Sequence, residues 1–236
     1  MKFSTYDPGE FYDELFEGIG RPRRGSALLL RKFASLPDGE LRKRQQAAER
    51  VILNMGMTFG VYDSDEGHEQ IFPFDIVPRI VEAPDWTLID TGLRQRLRAL
   101  NLFIDDVYHE QKILKDNVIP SELIYSSKGF LKACWGLNPP RGIWCHIAGI
   151  DLVRISDGRY YVLEDNMRCP SGVAYVLEAR QVMKRTFPEL FEAYRVRPVD
   201  EYPSRLLETL RSLSDLPDPT IVILTPGSYN SAYYEH

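Results

Sequence analysis

The sequence predicts an α+β protein in which helices pack on an antiparallel sheet, followed by the start of an α/β lobe. Three observations carry this reading. The stretch "IDLVRISDGRYYVLEDN" holds an Asp157-Gly158 turn between two runs rich in β-branched and aromatic residues, the pattern of an antiparallel hairpin. From Asp85 to Tyr108, the residues Trp86, Ile89, Leu93, Leu97, Leu100, Ile104 and Val107 recur at spacings of three and four, the stripe of an amphipathic helix with one face on a core. Near the end, "TIVILTPG" gives an apolar run closed by a Pro-Gly turn, read as a buried strand of the kind that opens a βαβ unit.

Taken in order, residues 1–36 mix Gly, Pro and charges of both signs without a sustained period, and read as an arm lying on the surface or partly disordered. Residues 37–215 form the main segment. It opens with a helix from Asp38 to about Met55, then "GMTFGVYD" and "QIFPFDIVPRIV" as short strands or extended pieces interrupted by Pro73 and Pro78. After the long helix, "ELIYSS" and "GIWCHIAGIDLVRIS" read as strands. A helix starts near Ser171 or Gly172, and another follows from Pro203. The linker-like "LSDLPDPT" leads into residues 216–236, whose apolar run needs partners on both sides and reads as a lobe begun without completion; the chain is expected to be an N-terminal fragment.

Composition narrows the function. With 44% hydrophobic and 27% charged residues the chain is that of a globular protein, and a net charge of -5 gives no reason to expect nucleic acid as a partner. The basic runs "RPRR" and "LRKRQ" are short and read as solvated faces. No apolar run approaches the roughly 18 residues of a membrane span, and acids occur throughout the first 25 residues, so a cytoplasmic protein without a membrane partner is expected. Cys134, Cys145 and Cys169 are odd in number and lack metal-type spacing, which reads as reduced thiols.

The hairpin carries the chemistry. With only Asp157 and Gly158 in the loop, Ser156 faces Arg159 and the register sets Asp151 directly across from Glu164, with Asn166 diagonally beside Asp151. Alternation then puts Asp151, Val153 and Ile155 on one face with Tyr160, Val162, Glu164 and Asn166. Opposed like charges destabilise a strand pair, so something positive belongs between them. Two carboxylates and an amide oxygen suit a hard cation such as Mg²⁺. The alternatives are an ion-pair cluster with Arg154 or Arg168, or a longer loop that shifts the register; in the two-residue register Arg154 falls on the opposite face.

The sequence resembles the circularly permuted ATP-grasp family, type 2, proteins related to the synthetase part of glutathionylspermidine synthase. The resemblance rests on "GMTFGVYDSDEGHEQIFPFDIVPRIV", "GLRQRLRALNLFIDDVYHEQKIL", "HIAGIDLVR", "YVLEDNMRCPSGVAYVLEAR", "MKRTFPELF" and "TPGSYNSAYYEH". It implies that Asp151 and, from the Glu164-Asp165-Asn166 triplet, Glu164 and Asn166 hold Mg²⁺, or Mn²⁺, with ATP. It also implies a carboxylate-amine ligase in which a substrate carboxylate takes the γ-phosphate before an amine attacks. A phosphotransferase, or a non-catalytic nucleotide-binding module working through a partner such as the helical companion protein that often accompanies family members, are the other readings. The loop "RCPSG" leads into a helix whose N-terminal N–H groups favour an anion, which makes Arg168 a phosphate or acyl-phosphate contact and Ser171 and Gly172 backbone donors; a salt bridge from Arg168 to Asp165 or to another surface group is the alternative. The family pattern departs at Gly149, where glutathionylspermidine synthases carry a phosphate-binding Arg. It further implies that the adenine pocket and phosphate-binding lysines lie downstream, so this chain alone is expected to turn over little ATP. His109 and His146 read as structural, while His68, Arg79, Tyr229 and Asn230 are weaker candidates for substrate contact.

Overall fold

The computed structural model describes residues 3–61, 68–168, 170–225, 227–229 and 233–236, with backbone alone for 59–61 and 68–70. In chain order the elements are β1 (Phe16–Gly18), β2 (Arg21–Pro22), α1 (Ala27–Ser35), α2 (Glu40–Asn54), β3 (Thr58–Val61), β4 (His68–Ile71), α3 (Ala83–Tyr108), the single turns α4 (Lys112–Lys115) and α5 (Ser121–Tyr125), β5 (Gly149–Arg154), β6 (Tyr160–Asn166), α6 (Val173–Thr186), α7 (Pro188–Tyr194) and α8 (Tyr202–Arg211). The expected antiparallel sheet is divided: β1-β2, β3-β4 and β5-β6 are separate two-stranded ladders, each antiparallel. Isolated pairs of this kind depend on helices for stability, and helices supply most of the core.

That core joins α1, α2, α6 and α7. Leu29, Phe33, Ala48, Ile52, Tyr175, Val182, Phe187 and Leu190 bury together with Met57 and Ile76 from the connecting segments. The Phe33 and Phe187 rings lie 5.6 Å apart. The Tyr194 hydroxyl accepts the Leu29 N–H and donates to the Gly25 carbonyl, both at 2.9 Å, tying the end of α7 to the first turn of α1. Part of the expected N-terminal arm is therefore core. Its apolar residues Leu29, Leu30 and Phe33 fall on one face of a short helix, and the basic and polar residues between them hid that stripe.

Helix α3 bears the expected stripe, with Ile89 and Val107 buried and Leu93, Leu97, Leu100 and Ile104 half-buried, although Trp86 at its start is exposed. The inner face of the β5-β6 hairpin lies along it, and between them runs a cleft of about 740 Å³ lined by Leu88, Ile89, Leu93, Leu100, Leu152 and Val162. Two ion pairs bridge the same gap. Arg154 meets Asp85 at 2.9 Å near the hairpin turn, and Arg96 meets Asp165 near the open end. At the turn, the Tyr12 ring lies between the Arg23 and Arg154 guanidinium groups, 4.1 and 4.2 Å from its centre.

Two expected strands, and the first half of the one that ends as β5, are not strands. "ELIYSS" forms α5, begun after Pro120, with no strand beside it to complete a ladder among the described residues. Residues 143–148 are irregular because the Trp144 and Cys145 N–H groups both donate to Asn101 Oδ1, at 2.9 Å each, so a side chain on α3 takes the place of a neighbouring strand. Residues 220–225 make no ladder among the described residues, and Val222, Ile223 and Leu224 are 73%, 79% and 93% exposed. The turns beyond fold back onto α6, with the Tyr234 ring 5.5 Å from Tyr175.

Candidate metal centre

The hairpin loop is longer than expected. The Gly158 N–H donates to the Ile155 carbonyl (2.8 Å) and the Ile155 N–H to the Arg159 carbonyl (3.1 Å), leaving Ser156, Asp157 and Gly158 outside the ladder. Gly158 alone takes a positive φ, 83°, so Asp157-Gly158 is not the two-residue turn in which both residues are left-handed. The extra residue slides the register by one, so that Arg154 faces Tyr160, Val153 faces Tyr161 and Leu152 faces Val162. Leu163 then bulges out of β6, and the register returns: Asp151 faces Glu164, Ile150 faces Asp165, and Gly149 faces Asn166. Asp151 and Glu164 thus oppose each other as expected, through two offsets that cancel.

The company they keep differs from the expectation. Tyr160 and Val162 do not share the acid face; with Leu152, Arg154 and Asp165 they turn toward α3. Asp151, Val153, Ile155, Tyr161, Leu163, Glu164 and Asn166 are exposed on the other side, and the two consecutive exposed residues Leu163 and Glu164 mark the bulge in the burial pattern of β6.

On this face Glu164 holds the Asp151 carboxyl above the usual carboxylate range, first through the hydrogen bond the two carboxyls share when one is protonated, then through lost hydration and like-charge repulsion. The Asn166 Nδ2 donates to Glu164 Oε1 at 3.0 Å. Among the described residues no Lys or Arg pairs with either acid: Arg154 is engaged by Asp85, and Arg168 is exposed without an ion pair. Two carboxylates, with an amide oxygen available once Asn166 turns, form a hard oxygen set whose charge calls for a cation such as Mg²⁺ or Mn²⁺. No group of three or more His, Cys, Asp or Glu side chains gathers anywhere among the described residues, so this site offers two carboxylates and an amide in place of a fuller cluster.

Asp165, between the two candidate ligands in sequence, points the other way into a two-pronged contact with Arg96, Nε to Oδ1 at 2.7 Å. This guanidinium holds the Asp165 carboxyl below its usual range. The sequence reading missed Arg96 because it sits beside the apolar stripe of α3, where a charge reads as solvated. Asp165 is therefore taken by Arg96 and not by Arg168.

The segment leaving β6 is fastened on three sides. The Cys145 thiol donates to the Met167 carbonyl at 2.9 Å, and burial pushes that thiol's pKa up, which suits an inert structural role. Gly149 has Pro170 against it, so close that a Cβ at Gly149 would lie 2.9 Å from Pro170 Cβ; this contact explains why no Arg side chain stands there. At the start of α6, where Gly172 takes φ 101°, the Gly172 and Ala174 N–H groups donate to the two oxygens of Glu235. An anion does sit at this helix end, but it is a carboxylate of the chain itself; Ser171 beside it is exposed.

Of the weaker candidates, Arg79 is exposed with Glu14 at 3.8 Å. His109 is held through Nδ1 by the Asp105 carbonyl at 2.9 Å, while its Nε2 and that of His146 are buried without a partner among the described residues, so these histidines are only partly satisfied. Tyr229 is 88% exposed. Cys169, Asn230 and the His68 side chain lie outside the described residues.

An α+β scaffold presenting opposed carboxylates and an amide on an open hairpin face, followed by a loop into a helix N-terminus, defines a candidate divalent-cation site. The chain belongs to the circularly permuted ATP-grasp type 2 family, whose match covers residues 78–236 and so includes the whole hairpin and α6. It is 50% identical over 238 residues to an uncharacterized protein of Synechocystis, and 44% identical over 240 residues to an uncharacterized protein of Mycobacterium bovis. The alignments cover 100% and 99% of this chain but 50% and 43% of those proteins, so the chain spans about half the length of the curated relatives it matches. It is also 36% identical over 228 residues, 95% of the chain and 26% of the relative, to a Frankia casuarinae protein provisionally named a glutamate–cysteine ligase. No helix among the described residues is long and apolar enough to cross a membrane.

Proposed function

We propose that the protein acts as an ATP- and Mg²⁺-dependent ligase joining a carboxylate to an amine, with Mn²⁺ able to replace Mg²⁺. The observation that carries this reading is the opposed pair Asp151 and Glu164, flanked by Asn166 and without a basic partner among the described residues. Membership of the ATP-grasp family supports it. When bound, the divalent ion would neutralise charge on the phosphate oxygens. Asp151 and Glu164 would hold it from the two strands, and Asn166 would offer Oδ1 after releasing Glu164. Arg168, exposed in the following loop, would contact phosphate or acyl phosphate. The Ser171 N–H would donate to the same group, and the Gly172 N–H would join it once Glu235 is displaced.

In the proposed reaction a substrate carboxylate oxygen takes the γ-phosphoryl group of ATP and ADP leaves. The amine nitrogen then attacks the acyl carbon of the acyl phosphate, loses a proton as the amide forms, and inorganic phosphate leaves. The name of the Frankia relative makes glutamate and cysteine the first pair to try, and peptide-type substrates like those of glutathionylspermidine synthesis the next. The test is release of ADP and phosphate that requires both a carboxylate and an amine and stops on chelation. Activity surviving exhaustive chelation would refute the metal reading. A stable phosphorylated product without amide would identify a phosphotransferase, and stoichiometric ATP binding without turnover a non-catalytic module acting through a partner protein.

A further inference from the structure

The strand β6 has two ways to lie against β5. Beyond the three-residue loop, an unbulged ladder would continue the register of the Arg154–Tyr160 pair, setting Leu163 opposite Asp151 and Asp165 opposite Gly149. Alternation would then turn Asp165 outward with Asp151, and turn Glu164 and Asn166 in toward α3. The observed bulge at Leu163 reverses this, presenting Glu164 and Asn166 outward and Asp165 inward. The side chain that meets Asp165 on the inner face is Arg96, through two of its nitrogens, and the Asp165 side chain is only 17% exposed there.

We propose that Arg96 is a positioning residue that selects the bulged register of β6 by holding Asp165, and so delivers Glu164 and Asn166 to the face that carries Asp151. The proposal rests on the reading of Asp151, Glu164 and Asn166 as cation ligands. A planar fork suits the task better than a point charge, because two parallel N–H···O bonds fix the rotation of the carboxylate as well as its distance. Arg96 lies on the face of the hairpin opposite Asp151 and meets the hairpin through Asp165; in this role it acts through the residue between two ligands, as the partners of metal ligands commonly do.

The test measures Mn²⁺ binding with ATP present, from loss of the free-ion electron paramagnetic resonance signal, in the protein and a set of variants. Arg96→Gln and Asp165→Asn should each weaken binding by about 10-fold or more, with Arg96→Lys intermediate. Arg154→Gln breaks the other ion pair to α3 and should leave Mn²⁺ affinity close to that of the unaltered protein. Deleting Leu163 makes the outward placement of Glu164 and Asn166 the only unbulged register, so Arg96→Gln combined with that deletion should recover binding lost in Arg96→Gln alone. This rescue is a result that general loss of folding cannot produce. Equal losses in Arg154→Gln and Arg96→Gln, or no recovery on deleting Leu163, would overturn the proposal. Asp151→Asn separates it from the reading beneath: Mn²⁺ binding unaffected by Asp151→Asn removes the cation site itself, whereas loss in Asp151→Asn with normal binding in Arg96→Gln removes only the role given to Arg96.

Discussion

Replacing Gly149 by Ala sets two effects of opposite sign against each other. The backbone at Gly149 is not left-handed, so Ala fits its conformation, and trading Gly for Ala in a strand should by itself stabilise by about 0.5–1 kcal/mol. The added Cβ, however, would lie 2.9 Å from Pro170 Cβ, where carbon atoms prefer about 3.5–4.0 Å. The two must part by about 0.6–1.1 Å. Neither is the far end of a flexible side chain, since Pro170 Cβ belongs to a ring closed on its own backbone, and Asn166 Cβ stands at 3.7 Å from the new atom. Overpacking of this kind costs about 1–3 kcal/mol, so at the middle of both ranges the overlap wins and G149A should be less stable by about 1 kcal/mol. Urea unfolding of G149A, P170G and the double variant measures this directly. Removing the opposing Cβ with P170G should return the benefit of Ala, giving a coupling of about 0.5–3 kcal/mol between the two positions. A G149A protein as stable as the unaltered one, with Pro170 in place, would show that the loop retreats freely and that Gly149 does not fix it.

Asp151→Asn should leave the metal-free protein as stable as before or more so near neutral pH, while abolishing Mn²⁺-ATP binding. Since the folded state holds the Asp151 proton more tightly than the unfolded chain does, the unaltered protein gains stability as pH falls through the folded pKa and loses it as pH rises. Melting curves of Asp151→Asn should lack that acid-side gain, and a large loss of stability at neutral pH would instead mark Asp151 as half of an ion pair. Asn101→Ala strips the Trp144 and Cys145 N–H groups of their acceptor; about 1–3 kcal/mol of stability should go for each group left unsatisfied, read by chemical denaturation, and an unchanged midpoint would mean that water replaces Asn101 at both.

Long-period features survived the passage from sequence to structure because one face alone decides them. The stripe of α3 and the start of α6 at Gly172 are of this kind, as are the two apolar runs around Asp157-Gly158. A two-residue loop and a regular ladder predict the opposition of Asp151 and Glu164, whereas the chain has three loop residues and a bulge. Only the sum was legible, because a bulge has no composition of its own. Residues 143–148 and 220–225 carry strand-like side chains, yet a strand exists only where another backbone accepts its hydrogen bonds, and Asn101 or solvent took that part here. Arg96 was invisible for a related reason: its partner lies 69 residues away, and the pattern of a helix surface does not say which of its charges meets another element.

The two ion pairs that fasten the hairpin to α3 run in opposite senses. The helix offers an acid at Asp85 and a base at Arg96, and the hairpin offers a base at Arg154 and an acid at Asp165. Eleven residues of helix span about 16 Å. On the hairpin, Asp165 faces Ile150, four residues from Arg154, which is about 13 Å of strand. The spacings match well enough for both contacts to close together. Laid on the helix end for end, the same hairpin would bring Arg154 to Arg96 and Asp165 to Asp85, repulsion at both ends in place of attraction. The fastening is keyed like a polarised plug: apolar residues alone would accept either direction, and the charges at the two ends admit one.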